Sequence, residues 1–158
     1  YDPDSGVLTL RDDQWLRDWE SRSYLRTVLW GGEQDVEAID SIQLPSGTNQ
    51  ILGRGARVFI EVYADGMRLY AGAVAPDGAL NLGRAILVTK DWGNLFDAWS
   101  SSAYVILGGS AIARYDFSSG AGQLAEITPV IGMPSRIRFG ASAAFVATGY
   151  AGVVQLPL

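Results

Sequence analysis

The 158-residue chain has the size of one domain, long enough to bury roughly two-thirds of the surface its unfolded form exposes, and 48% hydrophobic against 18% charged residues argues against disorder and for a chain that hides much of its surface. A net charge of -5 opposes nonspecific binding to nucleic acid or anionic lipid, since phosphate neutralisation needs a basic surface. With neither cysteine nor histidine there is no disulfide framework, no thiol nucleophile and none of the commonest metal ligand, so no cofactor and no transition metal is expected.

In chain order, the first predicted element is a helix over 11–25, "RDDQWLRDWESRSYL", with Asp12 or Asp13 as its cap and Trp15, Leu16 and Trp19 on one face. From Thr27 onward the pattern changes to short runs of β-branched and aromatic residues punctuated by Gly, Asp, Pro and Asn, the rhythm of antiparallel strands. Strands are predicted at Val36 to Leu44, Arg84 to Thr89, Gln123 to Val130 and Arg136 to Phe139. In "ARVFIEVYADGMRLYAGAVA", Val58, Ile60 and Val62 alternate with Phe59, Glu61 and Tyr63 before Asp65-Gly66, a pair that tolerates positive φ and marks a hairpin turn. A second hairpin runs through "AYVILGGSAIARYDF" and turns at Gly108-Gly109. "KDWGNLFDAW" spaces Trp92, Leu95, Phe96 and Trp99 as a helix would, which predicts a short core helix. "SGTNQILGRGAR" lacks the spacing of a phosphate loop and reads as a flexible connection.

After Arg138 no residue carries a formal side-chain charge. A membrane helix needs about twenty strongly apolar residues, whereas this stretch is built largely of Ala, Gly, Ser and Thr and is broken by Gly140, Gly149, Gly152 and Pro157. Two strands are predicted instead, Ser142 to Thr148 and Gly152 to Leu156, with membrane contact at most peripheral. Their small side chains leave room for another layer, so Ala143, Ala144, Ala147, Tyr150, Ala151 and Val153 are candidate subunit contacts.

Paired carboxylates are the only conventional catalytic groups left, and Glu61 and Glu126 sit in mid-strand, where a glycosidase would place an acid and a nucleophile. Glutamates alternating with apolar neighbours are expected to face solvent, so no catalytic residue is assigned. "YDPDSG" and "EQDVE" cluster oxygens, but Gly6 stands where an EF-hand loop needs its third ligand, and neither is taken as a metal site. Sugar faces stack on exposed rings, which makes Trp30, Trp92 and Trp99 the ligand-binding candidates of a carbohydrate-binding or receptor-binding reading. Trp92 and Trp99 are nonetheless expected in the core, as one face of the predicted helix.

About eight to ten short antiparallel strands with one or two short helices make a jelly-roll sandwich over residues 1–158 the expected all-β fold. In size, strand rhythm and composition the chain resembles the small single jelly-roll capsid proteins of tailless, membrane-containing bacteriophages. That resemblance implies a non-enzymatic virion protein, a capsid subunit that self-associates into homo-oligomers and a shell beside other virion structural proteins, with no direct nucleic-acid contact. The alternatives from other classes are a carbohydrate-binding or receptor-binding module of a tail or spike, and a small glycoside hydrolase.

Overall fold

The computed structural model describes residues 7–15, 21–32 and 35–158. They form fifteen strands and one 3₁₀ turn. The first sheet joins β1 (Val7–Trp15), β2 (Ser21–Gly32) and β3 (Asp35–Gln43). The second joins β4 (Thr48–Arg54), β5 (Arg57–Tyr63), β6 (Met67–Val74) and an edge in two pieces, β7 (Leu80–Leu82) and β8 (Ile86–Thr89), which pair with opposite ends of β6. The third runs through β9 (Gly93–Trp99), β10 (Ser102–Leu107), β11 (Ala111–Asp116) and β12 (Gln123–Pro129). The fourth contains β13 (Arg136–Phe139), β14 (Ala143–Ala147) and β15 (Val153–Pro157).

All of these pairings are antiparallel, and apart from β6 with β8 each joins strands that are consecutive in the chain. A jelly roll instead pairs strands across long Greek-key connections. The expected all-β antiparallel class therefore holds, while the jelly-roll order and the lower strand count are corrected to four successive meanders.

The meanders pack face to face in chain order. Between the first two sheets, Leu25 and Leu44 meet Val58, Ile60 and Val62 of β5. The other face of β5 sends Phe59 into a second core with Met67, Leu69, Leu95, Val105 and Phe117. The far face of the third sheet sends Tyr104 and Ile112 against Ile137, Ala144, Val146 and Leu156 of the fourth. Because side chains alternate across a strand, β5 and β10 deal successive residues to two different cores. Their sequences consequently read as unbroken apolar runs.

That arrangement accounts for three corrected expectations. Residues 90–99 have helical apolar spacing, yet Gly93–Trp99 is strand β9, with Leu95 in the core toward the second sheet and Phe96 packed toward the fourth. A register shift beside Phe96 adds one residue to the strand and disturbs its period of two. Residues 11–15 and 21–25 belong to β1 and β2 rather than to a helix, with Asp12 opposite Tyr24 and Asp13 opposite Ser23; Leu16 and Trp19 lie outside the described residues. Arg11 Nε donates to Asp13 Oδ1 at 2.8 Å and Gln14 Nε2 to Asp12 Oδ2 at 3.1 Å, two-residue spacings that share a face only in extended chain. The connection expected at "SGTNQILGRGAR" is largely β4, whose Arg54 pairs with Asp97 of β9 and donates from Nε to Ala98 O at 3.1 Å.

The turns match their chemistry. Asp65 and Gly66 have φ of 55° and 113°, and Gly108 and Gly109 have φ of 56° and 74°, the left-handed backbone that their short connections of three residues, 64–66 and 108–110, require. Both C-terminal strands form where expected. No helix among the described residues is long and apolar enough to cross a membrane.

Candidate functional site

Two surfaces stand out. The first is one end of the fourth sheet. Ile137, Ala144, Val146 and Leu156 point into the core, so their neighbours Arg136, Arg138, Phe145, Val153 and Gln155 point away from it. Cross-strand register places Arg138, Phe145 and Gln155 in one row and Arg136, Ala147 and Val153 in the next. At the Val153 end, the segment before β13 meets the 3₁₀ turn Gly149–Ala151. Gly132, at φ 88°, makes that meeting close: a Cβ there would lie 2.2 Å from Thr148 O and 3.0 Å from the Ala151 methyl. Gly132 is thereby flanked by Ile131 and Met133 close to the turn that carries Tyr150, and Ile131, Met133, Tyr150 and Val153 are 67–95% exposed.

The C-terminal candidates divide accordingly. Ala144 is completely buried in the chain's own core and Ala143 is also buried, so neither is free for a subunit contact. Ala147 is half-buried, whereas Tyr150, Ala151 and Val153 are exposed. Sequence reasoning missed Ile131, Met133 and Phe145. Phe145 was accessible from period two, because Ala144 and Val146 flank it; the other two lie in a loop, where no periodicity marks exposure.

The second surface is a hollow of about 360 Å³ lined by Gly47, Thr48, Asn49, Tyr63, Trp92, Gly93 and Asn94. Trp92 is 58% exposed, contrary to the core position expected from helical spacing, because it precedes β9 instead of facing inward from a helix. Its carbonyl accepts from Gly108 N at 3.0 Å, and its ring lies 4.0 Å from where a Cβ on Gly109 would stand. Tyr63 donates its hydroxyl proton to Gly93 O, fixing the second ring. Trp99 is also exposed rather than in the core, and stacks on Phe139 with centroids 5.2 Å apart, tying β9 to β13. The Trp30 side chain lies outside the described residues.

Glu61 is fully buried instead of facing solvent. It accepts from Asn49 Nδ2 and from Leu95 N, and so bridges the second and third sheets. Glu126 sits on the edge strand β12, accepts from Thr128 Oγ1 at 3.3 Å and lies 4.0 Å from Arg114. The two carboxylates occupy different sheets with separate partners, and the buried one has both oxygens engaged. "YDPDSG" lies outside the described residues, as do Glu33 and Gln34 of "EQDVE"; among the described residues no group of three acidic side chains is placed to hold a metal. No protein-family model and no curated relative matches the chain.

Proposed function

We propose that this protein is a non-catalytic structural subunit that assembles with further copies of itself through the exposed end of its fourth sheet. The observation that carries this reading is the edge formed by Ile131, Met133, Tyr150 and Val153. Four large, highly exposed apolar side chains on a loop, a turn and a strand that adjoin at Gly132 are the mark of an interaction surface. At about 25 cal/mol per Å², covering such a cluster supplies a driving force that charge and hydrogen bonding then orient.

Charge indicates what covers it. Among the described residues the strands of the first sheet carry Asp12, Asp13, Asp35, Glu37 and Asp40 against Arg11, Arg22 and Arg26, while residues 130–158 contain Arg136 and Arg138 and no acid. A fourth sheet docked toward the first sheet of another copy joins opposite signs, and two fourth sheets docked on each other would oppose like charges. The contact is head to tail, which closes into a ring or continues as a filament according to the rotation per copy.

The serial stack also fits an arc of a β-propeller, in which meander sheets succeed one another around an axis. Supporting that reading, the opening strands of the last three sheets lie side by side: Arg54 joins β4 to β9, and Trp99 stacked on Phe139 joins β9 to β13. An arc leaves an uncovered sheet at each end, the geometry that copies of one chain can complete. A virion shell subunit remains the biological role we propose, carried now by this assembly surface in place of jelly-roll order.

Sedimentation velocity over a range of protein and salt concentrations tests the proposal. The chain should associate with rising concentration and dissociate with rising salt. Tyr150→Asp combined with Met133→Asp should sediment as a monomer with unchanged far-ultraviolet circular dichroism. A wild-type monomer throughout, or association unaffected by the double substitution, would overturn it.

A further inference from the structure

We infer that the Trp92 hollow is a binding site for an uncharged carbohydrate, separate from the assembly surface. Its volume of about 360 Å³ falls within the range of small-ligand sites. The seven residues that line it are all uncharged, so it offers nothing to neutralise a phosphate or a carboxylate. What it offers is an exposed aromatic ring beside the Thr48 and Asn49 side chains.

Trp92 supplies that ring. The indole stays largely open to water although its backbone is anchored by Gly108, and Gly109 contributes no side chain to cover it. Tyr63 stands beside it, held by a hydroxyl that donates to Gly93 O and accepts from Gly93 N at 3.4 Å. An aromatic ring with a polar rim suits the C–H face of a pyranose, whose hydroxyls leave from the ring edge.

Hydrogen bonding is arranged to match. Asn49 spends one amide donor on buried Glu61, which fixes the side chain and leaves its carbonyl oxygen as an acceptor. Thr48 donates its hydroxyl proton to Pro45 O at 2.7 Å, leaving its oxygen to accept. Asn94 closes one side of the hollow, but its side chain alternates with that of Leu95 and stands on the other face of the third sheet, opposite Ile106 on β10. Sugar hydroxyls, which donate and accept at one oxygen, satisfy such a set. Glu61 thus acts as a positioning residue: it ties Asn49 to the third sheet, which also carries Gly93 and Asn94.

The test is calorimetric titration of the chain with maltohexaose, cellohexaose and N-acetylchitohexaose, repeated in the Tyr150→Asp and Met133→Asp variant so that association and sugar binding are read separately. Saturable binding of at least one is expected in both proteins. Trp92→Ala should weaken it about ten-fold or more, while Trp99→Ala should bind as wild type. Circular dichroism checks that each variant is folded. Saturable binding to none of the three, or binding that survives Trp92→Ala unchanged, would overturn the inference.

Discussion

The second and third sheets are covered on both faces, whereas the fourth is covered on one. In β5, Val58 through Val62 are all buried, and in β10 Ala103 through Ile106 are all buried; in β14 the run of buried residues is interrupted by exposed Phe145. Each fully buried aliphatic or aromatic side chain contributes about 1.5–3 kcal/mol relative to exposure, so the central pair of sheets holds most of the stability. The outer sheet spends fewer side chains on folding and keeps large apolar groups for contact. Stability and assembly are thus assigned to different layers of one stack.

The largest disruption should come from the middle. Phe59 is fully buried and meets Phe117 edge to face with centroids 5.7 Å apart. Phe59→Ala should destabilise the fold by about 3–5 kcal/mol, read from the urea midpoint. A loss below about 1 kcal/mol would mean that the second and third sheets do not depend on one another.

Glu61→Gln probes the polar link between the same sheets. The amide can still accept from Leu95 N, but Asn49 must turn its own amide over to accept from the new NH₂ group. A loss of about 1–2 kcal/mol is expected, because hydrogen bonds to a carboxylate are stronger than those between neutral amides. An unchanged midpoint would show that this bridge contributes nothing.

Gly66→Val should cost roughly 1–3 kcal/mol through backbone strain. The glycine has φ 113°, and a Cβ would lie 2.5 Å from Thr89 O. Association should persist in the folded fraction, because the turn lies in the second sheet. Unchanged thermal stability would contradict the turn geometry.

The smallest effect concerns the junction of the first two sheets, which combines its apolar core with hydrogen bonds. Thr27 donates its hydroxyl to Gly78 O, and Leu80 N donates to Asp40 Oδ2 at 2.8 Å. The Leu80 N–H, followed by that of Ser41, holds the Asp40 carboxyl below its ordinary value. A depressed folded pKa gives stability that is present above the unfolded value, about 3.9, and is lost as pH falls through the folded value. Asp40→Asn should therefore flatten part of the acid limb of the stability curve while leaving Phe59→Ala as costly as before. An identical acid limb in the variant would remove Asp40 from the junction.

The same contrast explains what could be read from sequence. Turns were legible where backbone conformation selects the residue, at Asp65-Gly66 and Gly108-Gly109. The tail strands were legible because glycine and proline punctuate them. Two-sided burial hid the rest: Leu95 and Phe96 are adjacent yet serve different cores, so β9 imitates a helical stripe. Sheet order was hidden for another reason, since strands of similar length can form meanders or Greek keys and only tertiary pairing distinguishes them. The exposed edge depends on a loop and a turn brought together by Gly132, a contact that local periodicity does not encode.

Amide hydrogen exchange at low and high protein concentration tests the division between a stabilising middle and an associating end most directly. Strands β5 and β10 should exchange slowly at both concentrations, while residues 131–135 and 149–155 should gain protection only at the higher one. Equal protection of residues 131–135 and 149–155 at the two concentrations, with β5 and β10 protected throughout, would contradict the account.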